Sequence, residues 1–432
     1  MKASEPVRRM VVGITGASGT VYGIRVLEAL RALKIESHLV ISKAGDQTRS
    51  LETDVSASEL RALADKVYAP GDIAASISER AAKEPKSITL SGSAPRTAIF
   101  SASRSNTAVT ASPACITSVS TNSGDFFLPT ASNFTAGASA ALQMACLALI
   151  DPQDEILMPD PSYPCNRHFV SAAEGRAVLV PTTAAERFQL SAEQVRANWT
   201  AHTRGVLLAS PSNPTGTSIH PDELRAIHNE VSQRGGTTLI DEIYLGLSYD
   251  AQFGQSALGI DDQIISINSF SKYFNMTGWR LGWLVVPDAL VPVMERLAQN
   301  LFICASTVAQ HAALACFEDE SIGEYERRRA EFKARRDYFV PALNALGLNV
   351  PVMPDGAFYA WADCTAAANK LGIKGSWDFA FEVMNQANLA ITPGRDFGLA
   401  DTSRFVRFST ARSLPELQAA IGRLQKLLGH TP

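Results

Sequence analysis

The amino-acid sequence predicts an α/β fold divided into more than one domain. At 432 residues, the chain is too long for a single compact core. Apolar residues make up 46% of it and charged residues 19%, which is ordinary for a folded protein with a buried core. Short apolar segments such as "EILMP", "GVLLAS" and "TTLIDE" alternate with amphipathic segments. This alternation is typical of a mostly parallel sheet with helices packed on its faces.

The first 78 residues begin such an alternation. The segment "MVVGIT" predicts a short buried strand, "GASG" a glycine turn and "TVYGIRVLEALRAL" an amphipathic helix. A second strand is predicted at "SHLVIS" and a second helix at "SASELRALADKVY". Residues 1–78 are therefore expected to form a βαβα segment that opens a parallel sheet.

Residues 79–134 have a different composition. They are rich in Ser, Thr and Ala, and acidic residues are nearly absent from "SITLSGSAPRTAIFSASRSNTAVTASPACITSVSTNSG". No sustained helical or strand periodicity runs through them. By composition this stretch is an atypical junction, either a linker or a poorly ordered segment.

The alternation resumes at residue 135 and continues to about residue 300. Strands are predicted at "EILMP", "AVLVP", "GVLLAS", "TTLIDE", "IISINSF" and "GWLVV", with helices between them such as 138–149, 164–174 and 221–234. We expect a large α/β domain over 135–300. The long charged helix "EYERRRAEFKARRDYFVPALNAL", the strand "GAFYAWAD" and a last helix "LPELQAAIGRLQKLL" predict a smaller α+β domain over 301–432.

Composition also bears on partners and location. The net charge is -4 and no block of Lys or Arg stands out, which argues against nucleic acid and anionic membrane surfaces as partners. The longest apolar stretch, "ASAALQMACLALI", is too short to span a bilayer, and the N-terminus lacks the apolar core of a signal peptide. The 6 cysteines and 7 histidines are scattered, without metal-binding spacings. We expect a cytoplasmic protein with reduced thiols and no metal.

Side chains that could bind a ligand or take part in catalysis follow the predicted strands of the large domain. In an open α/β sheet the carboxyl ends of the strands form the ligand-binding edge. The segment "TAGASAAL" begins a helix, where free N–H groups and the helix dipole favour a phosphate. Further candidates follow in "DPSYP", "SPSNPTG", "TTLIDEIY" and "NSFSKYFNMTGWR". The candidate set is Gly137, Ala138, Ser139, Tyr163, Asn213, Asp241, Tyr244, Ser269, Lys272 and Arg280.

One ligand would use this whole set, namely a phosphorylated aromatic aldehyde with a basic ring nitrogen. Lys272 would form an imine with the aldehyde. The helix start, Ser269 and Arg280 would neutralise the phosphate. Buried Asp241 would keep a proton on the ring nitrogen. Asn213 and Tyr244 would bond to the ring hydroxyl, and Tyr163 would stack on the ring. The ligand that fits is pyridoxal 5'-phosphate (PLP).

From about residue 134 to 430 the sequence resembles the class I/II aminotransferases, enzymes of PLP-dependent transferase fold type I. The resemblance is carried by "TAGASAAL", "DPSYP", "SPSNPTGT", "DEIY", "SFSKYFNMTGWRLGW", "DGAFY" and "FVRFS". It implies that Lys272 is the Schiff-base lysine and the base that moves the α-proton, with Asp241 and Tyr244 as its catalytic partners. Arg407 matches the arginine that binds the substrate carboxylate, beside Asn213. The resemblance also implies an α-amino acid and a 2-oxo acid as substrates, and a homodimer.

Residues 10 to about 78 carry a second resemblance, to the flavin prenyltransferases, which implies a flavodoxin-like fragment. It rests on "MVVGITGASGTVYGIRVLEAL" and "ESHLVISKAGDQTRSLET". By this resemblance Gly16, Ala17, Ser18 and Ser42 match flavin-contacting positions, and FMN is the cofactor to consider. The later regions of that family, including its basic residues for the prenyl phosphate, have no counterpart in the sequence.

Two alternatives to transamination stay open at this point. The same PLP scaffold also supports decarboxylation or β-elimination, and the cofactor-side motifs do not separate these reactions. A flavin-binding or catalytically impaired fusion is the other alternative. It is motivated by residues 10–78 and by residues 79–134, which lack the glycine and the Y-x-x-x-x-G stretch that normally precede "TAGAS" in aminotransferases.

Overall fold

The computed structural model describes residues 9–14, 20–68, 119–121, 124–126 and 132–429. The chain divides into two compact units, Met1–Ala94 and Pro95–Pro432, and each is considered by itself. Gly16, Ala17 and Ser18, together with most of the predicted junction, lie outside the described residues.

The first unit contains a parallel sheet of three strands within its described residues. Strands β1 (Arg9–Ile14), β2 (Glu36–Ile41) and β3 (Lys66–Tyr68) pair in the order β1-β2-β3. The helices are α1 (Thr20–Ala32), α2 (Lys43–Glu52) and α3 (Ala57–Leu63). Leu27, Leu39 and Leu60 form the centre of the core between helices and sheet.

Two features of this unit differ from the sequence-based expectation. Helix α2 was not foreseen, and Ser42 begins it as an N-cap whose side chain accepts the Gly45 N–H. The predicted helix "SASELRALADKVY" ends at Leu63, and its last residues form strand β3 instead. The Asp65 carboxylate accepts the Ser37 backbone N–H at 2.7 Å, which draws the chain out of the helix and alongside β2.

Within its described residues, the second unit is built on a seven-stranded sheet. A separate hairpin of β4 (Val119–Thr121) and β5 (Gly124–Phe126) precedes it in the chain. The sheet strands are β6 (Ser132–Thr135), β7 (Glu155–Asp160), β8 (Arg176–Pro181), β9 (Thr203–Ala209), β10 (Thr237–Asp241), β11 (Ile265–Ser269) and β12 (Gly282–Val285). Their spatial order is β6-β12-β11-β10-β9-β7-β8.

The direction of these strands locates the ligand-binding edge. Strands β11, β10, β9, β7 and β8 run parallel, while β12 is antiparallel to both β11 and β6. The carboxyl ends of β7, β9, β10 and β11 therefore lie along one edge, where an open α/β sheet binds its ligands. All six strands predicted for the large domain are present, and β6 adds a strand that begins at Ser132, within the predicted junction.

Helices flank this sheet on both faces. They are α4 (Ala138–Leu149), α5 (Pro164–Ala172), α6 (Ala192–Asn198), α7 (Pro221–Ser232), α8 (Val291–Leu301) and α9 (Thr307–Leu314). Helix α4 buries Leu142 and Met144 against Ile267 and Leu284 of the sheet. Full burial of each such side chain contributes about 1.5–3 kcal/mol to the free energy of folding. This packing holds α4 against the sheet, so its first residues lie at the sheet edge.

The small domain follows as a second layered core. Helix α10 (Asp319–Ala345) is the long charged helix expected from the sequence, and exposed pairs such as Lys333–Asp337 at 3.0 Å line its surface. Strands β13 (Tyr359–Asp363), β14 (Thr392–Pro393) and β15 (Phe405–Ser409) form an antiparallel sheet. Helices α11 (Thr365–Lys370), α12 (Gly375–Ala387) and α13 (Leu414–Leu427) complete it, the last as predicted.

No helix in the described ranges combines the length and the apolar composition needed to cross a lipid bilayer.

Candidate active site

The start of helix α4 lies at the ligand-binding edge beside an arginine. Gly137 is the N-cap with φ of 90°, a left-handed conformation that glycine adopts without strain. A Cβ at Gly137 would also overlap the Arg280 guanidinium. The positive φ is the reason for glycine at this position, and the close approach of Arg280 brings a positive charge to the N-terminus of a twelve-residue helix. Of the next two residues, Ala138 is buried and the Ser139 side chain is exposed.

Arg280 is held in place by the turn that precedes it. Its Nη1 donates to the Thr277 carbonyl at 3.0 Å and lies 3.4 Å from Ser271 Oγ. A guanidinium beside the free N–H groups of a helix start is a site for an anion, and phosphate is the anion it suits best.

Two serines precede this arginine at the end of β11, and they are oriented differently. The Ser269 hydroxyl is buried, 3.1 Å from the Leu281 carbonyl oxygen and 2.9 Å from Ser271 Oγ. Ser271 is the serine that faces Arg280. The sequence predicts that Ser269 contacts the phosphate and predicts no role for Ser271, although both stand in the same "SFSK" segment.

Lys272 extends from the end of β11 into a half-buried position between aromatic rings. Its Nζ lies 5.8 Å from the ring centroids of both Tyr244 and Phe358. Loss of solvent lowers the pKa of the amine, and the charges of Arg280 and Arg407 lower it further, while Asp241 opposes them. In the part of the chain that the structure describes, no carboxylate forms a salt bridge with Lys272. An amine with a lowered pKa and no carboxylate partner is suited to nucleophilic chemistry.

Asp241 ends strand β10 as a buried carboxylate. Burial raises its pKa to about 6, against the opposing effects of the Ile243 N–H and the Lys272 charge. The Ile243 N–H donates to Oδ1 at 3.0 Å, and within the described residues no donor is bonded to Oδ2. A buried carboxylate with an open oxygen is arranged to accept a hydrogen bond from a ligand.

The neighbouring Glu242 has a different role. Although it is also buried, its oxygens accept from the Ser256 hydroxyl at 2.7 Å, the Ser266 hydroxyl at 2.5 Å and the Ala257 N–H at 2.7 Å. These bonds satisfy the carboxylate and direct it away from the sheet edge. Of the two acidic residues, Asp241 is the one available to a ligand.

Tyr163 occupies the N-cap position of α5, beyond the end of β7. Its ring is half-buried. Burial, followed by the neighbouring Cys165, raises the pKa of its hydroxyl, and the charge of Asp241 acts in the same direction. The effect of the Asp241 charge on Tyr163 indicates that the two side chains lie near each other, and the stacking of Tyr163 on a cofactor ring stays a prediction.

Tyr244 is buried and its hydroxyl forms a 2.8 Å hydrogen bond with the hydroxyl of Tyr359. Burial raises the pKa of Tyr244 well above its usual value. The two rings meet edge to face, with centroids 5.7 Å apart. Tyr359 belongs to the "DGAFY" motif, but the sequence alone does not predict a function for it. Its contact with Tyr244 brings the small domain into the site.

Arg407 of β15 lies over Tyr359 and reaches the large domain. Its Nη1 donates to Asn213 Oδ1 at 2.8 Å, and its Nη2 is 3.3 Å from Thr392 Oγ1. The guanidinium carbon is 4.5 Å from the Tyr359 ring centroid and 4.8 Å from that of Phe397. Two aromatic faces therefore fix the plane of a fork that can bind a carboxylate.

The remaining site predictions concern flavin and metal. Ser42 lies in the first unit, where its hydroxyl accepts the Gly45 N–H at 2.9 Å. The other three flavin candidates lie outside the described residues. Among residues that the structure describes, no group of three or more His, Cys, Asp or Glu side chains could hold a metal ion.

Known proteins resemble this chain over most of its length. Residues 94–424 match the model of the family "Aminotransferase class I and II". The match begins at residue 94, about forty residues before the motifs quoted above. A valine–pyruvate aminotransferase of Mycobacterium tuberculosis is 36% identical over 297 residues, which cover 68% of this chain and 75% of that protein. An aspartate aminotransferase of Rhizobium meliloti is 34% identical over 300 residues, covering 67% and 72%.

Solved structures give the same result. An aminotransferase from Mycobacterium tuberculosis superposes with a TM-score of 0.65 at 35% identity, covering 69% of this chain and 76% of that chain. The aromatic aminotransferase from Pyrococcus horikoshii superposes with a TM-score of 0.64 at 30% identity, covering 69% and 79%. On the length of the family match and the identity to these relatives, the chain belongs to the class I and II aminotransferases.

Proposed function

We propose that Lys272, Asp241, Tyr163, Asn213, Tyr244, Arg280 and Arg407 form one active site for transamination with PLP. The protein, as a member of its family, is a PLP-dependent aminotransferase, which moves an amino group between an α-amino acid and a 2-oxo acid. The assignment of these residues to the reaction is our proposal. The observation that carries it is the unpaired, half-buried amine of Lys272 between a buried carboxylate and an arginine at a helix start.

The residues present fit PLP at each of its polar ends. Arg280, Ser271 and the N-terminus of α4 supply cationic and N–H groups suited to a phosphate. Asp241 has an open oxygen for a protonated ring nitrogen. Lys272 supplies the amine for the aldehyde. When bound, PLP supplies an aldehyde that exchanges between amines and a ring that accepts electrons.

The protein's own groups would then act as follows. Asp241 holds the proton on the ring nitrogen, because burial strengthens its attraction for a positive partner. Tyr163 packs on the ring face, and Asn213 and Tyr244 orient the ring hydroxyl. Lys272 Nζ, with its lowered pKa, moves the proton at the substrate α-carbon.

Arg407 would bind the α-carboxylate that all substrates of this reaction share. Its fork is fixed between two rings, and its partners Asn213 and Thr392 are neutral. A neutral partner leaves the positive charge available to a carboxylate. The relatives are named for valine, aspartate and aromatic amino acids, so similarity to them does not assign one side chain to this protein.

A substrate-pair assay tests this function. The purified protein with PLP is incubated with each amino acid and either pyruvate or 2-oxoglutarate. Transamination produces the new amino acid in equal amount to the new oxo acid. Decarboxylation or β-elimination, which the comparisons do not favour, would consume the amino acid without a matching amino product.

We propose that the protein is a cytoplasmic homodimer, which light scattering and cell fractionation test. We propose the domain division 1–78, 79–134, 135–300 and 301–432. We also propose that the first unit is a flavodoxin-like fragment related to the flavin prenyltransferases, with its three parallel strands as support. Titration with FMN, followed by flavin fluorescence, tests whether this unit binds flavin.

A further inference from the structure

The carboxylate of Asp160 joins the large domain to the small domain. It ends β7, and only 2% of the residue is exposed. Its Oδ2 accepts the N–H groups of Leu399 and Ala400, each at 2.9 Å, and the Leu399 N–H is also 3.2 Å from Oδ1. A carboxylate that accepts backbone N–H groups forms charge-assisted bonds, which are among the stronger hydrogen bonds in proteins.

Both sides of this contact are fixed. The Asp160 carbonyl oxygen accepts from the backbone N–H and the hydroxyl of Thr182, at 3.0 and 2.9 Å. On the other side, Gly398 packs so closely that a Cβ would overlap Asp160 Oδ1. The Ser162 N–H also donates to the Phe397 carbonyl at 2.9 Å. Residues 396–400, which we call the 396–400 loop, are therefore held against the end of β7.

The 396–400 loop in turn forms one wall of the arginine site. Phe397 is buried, and its ring meets Trp361 edge to face with centroids 5.5 Å apart. The same ring lies 4.8 Å from the Arg407 guanidinium carbon. Because Asp160 holds the backbone of this loop, it determines where the Phe397 face stands relative to Arg407.

We propose that Asp160 is a positioning residue for substrate binding. It touches neither the proposed substrate site nor Lys272, and acts through the 396–400 loop and Phe397 on the orientation of Arg407. Tyr163 lies three residues after Asp160, so the same end of β7 also carries the ring that packs on the cofactor. This inference rests on the proposed role of Arg407.

Two variants test it from opposite sides of the contact. D160N replaces an acceptor oxygen with an N–H donor that faces the loop's own donors. G398A leaves the carboxylate intact and pushes the loop away by steric overlap. The matched control is D154N, which alters a similarly buried aspartate just before β7. Asp154 bonds the Asp151 N–H at 3.0 Å and Arg204 at 3.0 Å, outside the site.

Three readouts are compared, two in the PLP-loaded proteins and the third by titration of the cofactor-free proteins with PLP. Hydrogen–deuterium exchange of the peptide spanning 396–402 reports on the Leu399 and Ala400 amides. Steady-state kinetics with the best substrate pair separates KM from kcat. Tryptophan fluorescence quenching by PLP gives the cofactor affinity.

For D160N and G398A we expect faster exchange in the 396–402 peptide and a KM at least about fivefold higher for both substrates, with kcat and PLP affinity within about twofold. D154N should change none of the three, even if it lowers the melting temperature. Unchanged hydrogen–deuterium exchange of the 396–402 peptide in D160N would show that Asp160 does not hold the Leu399 and Ala400 amides. Faster exchange with an unchanged KM would overturn the positioning role. If D160N does not fold, G398A decides by the same two criteria. Wild-type protein without transaminase activity would instead contradict the proposed function.

Discussion

Arg407 Nη1 donates to Asn213 Oδ1 over 2.8 Å, across the boundary between the small and the large domain. Asn213 follows β9 at the ligand-binding edge of the sheet, and Arg407 lies on β15 of the small domain. The bond therefore connects the residue expected to orient the cofactor ring with the residue expected to bind the substrate carboxylate. It also places both domains in a single site.

Replacement of Arg407 should weaken substrate binding more than it weakens cofactor binding. R407K keeps the charge but loses the planar fork between the two rings, so we expect KM for amino acid and oxo acid to rise about a hundredfold. Steady-state kinetics measures this. The control is R404K, because Arg404 points to solvent and pairs with Asp363 and Asp401. An equal effect in R407K and R404K would contradict the assignment.

Arg280 should act on the phosphate alone. We expect R280A to weaken PLP binding about a hundredfold while changing the affinity for pyridoxal, which lacks the phosphate, less than about threefold. Fluorescence titration with both ligands gives the ratio. R296A, at an exposed position of helix α8, is the control for loss of an arginine from the large domain. A parallel loss of PLP and pyridoxal binding in R280A would show a general structural effect.

The two serines beside Arg280 should differ. Ser271 faces the guanidinium, whereas the Ser269 hydroxyl is buried against Leu281. S271A is therefore expected to weaken PLP relative to pyridoxal more than S269A does, and the same titration measures both. The reverse order would support the assignment of Ser269 made from sequence.

The buried Asp241 carboxylate should favour PLP binding, but it should lower the stability of the cofactor-free protein at neutral pH. Its pKa is raised to about 6, so the folded state holds a proton more tightly than the unfolded chain. Stability of the cofactor-free protein therefore falls as pH rises from about 4 to above 6, by about 2–3 kcal/mol for a two-unit shift. Thermal melting of the cofactor-free proteins measures this. The melting temperature of D241N relative to that of wild type should be higher at pH 8 than at pH 5.

D241N should also lower the affinity for PLP by at least about a hundredfold, because Asn carries no negative charge to pair with the protonated ring nitrogen. E242Q is the matched control at the adjacent buried position. It should lower the melting temperature and leave PLP affinity within about threefold. Tight PLP binding by D241N would contradict the role given to Asp241.

The pair of hydroxyls on Tyr244 and Tyr359 gives a prediction that depends on the cofactor. In cofactor-free protein, Y359F leaves the buried Tyr244 hydroxyl without this partner, at a cost of about 1–2 kcal/mol. In PLP-loaded protein, the Tyr244 hydroxyl can bond the ring hydroxyl, and the loss should be smaller. Melting curves of both forms, with Y338F as the control, measure the difference. An equal loss in both forms would mean that Tyr244 does not turn to the cofactor.

Sequence alone was sufficient for most of the large domain, since its strands are continuous apolar runs and their ends carry unusual polar residues. Lys272, Asp241, Arg280 and the helix start at Gly137 could be located because each has a local signal, such as a lysine after a buried strand. Their common position follows from the rule that ligands bind at the carboxyl ends of parallel strands.

The contributions of Tyr359, Phe397 and Asp160 were not found from sequence. Tyr359 and Asp160 depend on contacts between segments more than 100 residues apart, such as Asp160 with Leu399, and Phe397 contributes through its packing against Arg407. Asp160 lies within "DPSYP" and Phe397 within "PGRDFG", and no period or charge pattern in the sequence predicts that the two segments meet. The orientation of Ser271 rather than Ser269 toward Arg280 is a choice of side-chain direction, which spacing does not determine.

The central claim is that Lys272 is the residue that attaches to PLP. The most direct measurement is borohydride reduction of the purified protein with PLP, followed by peptide mapping by mass spectrometry, with K272A and the surface variant K333A analysed in parallel. The account predicts one stoichiometric pyridoxyl group on the peptide that contains Lys272, present in K333A and absent in K272A. Labelling spread over several lysines, or retained in K272A, would contradict it.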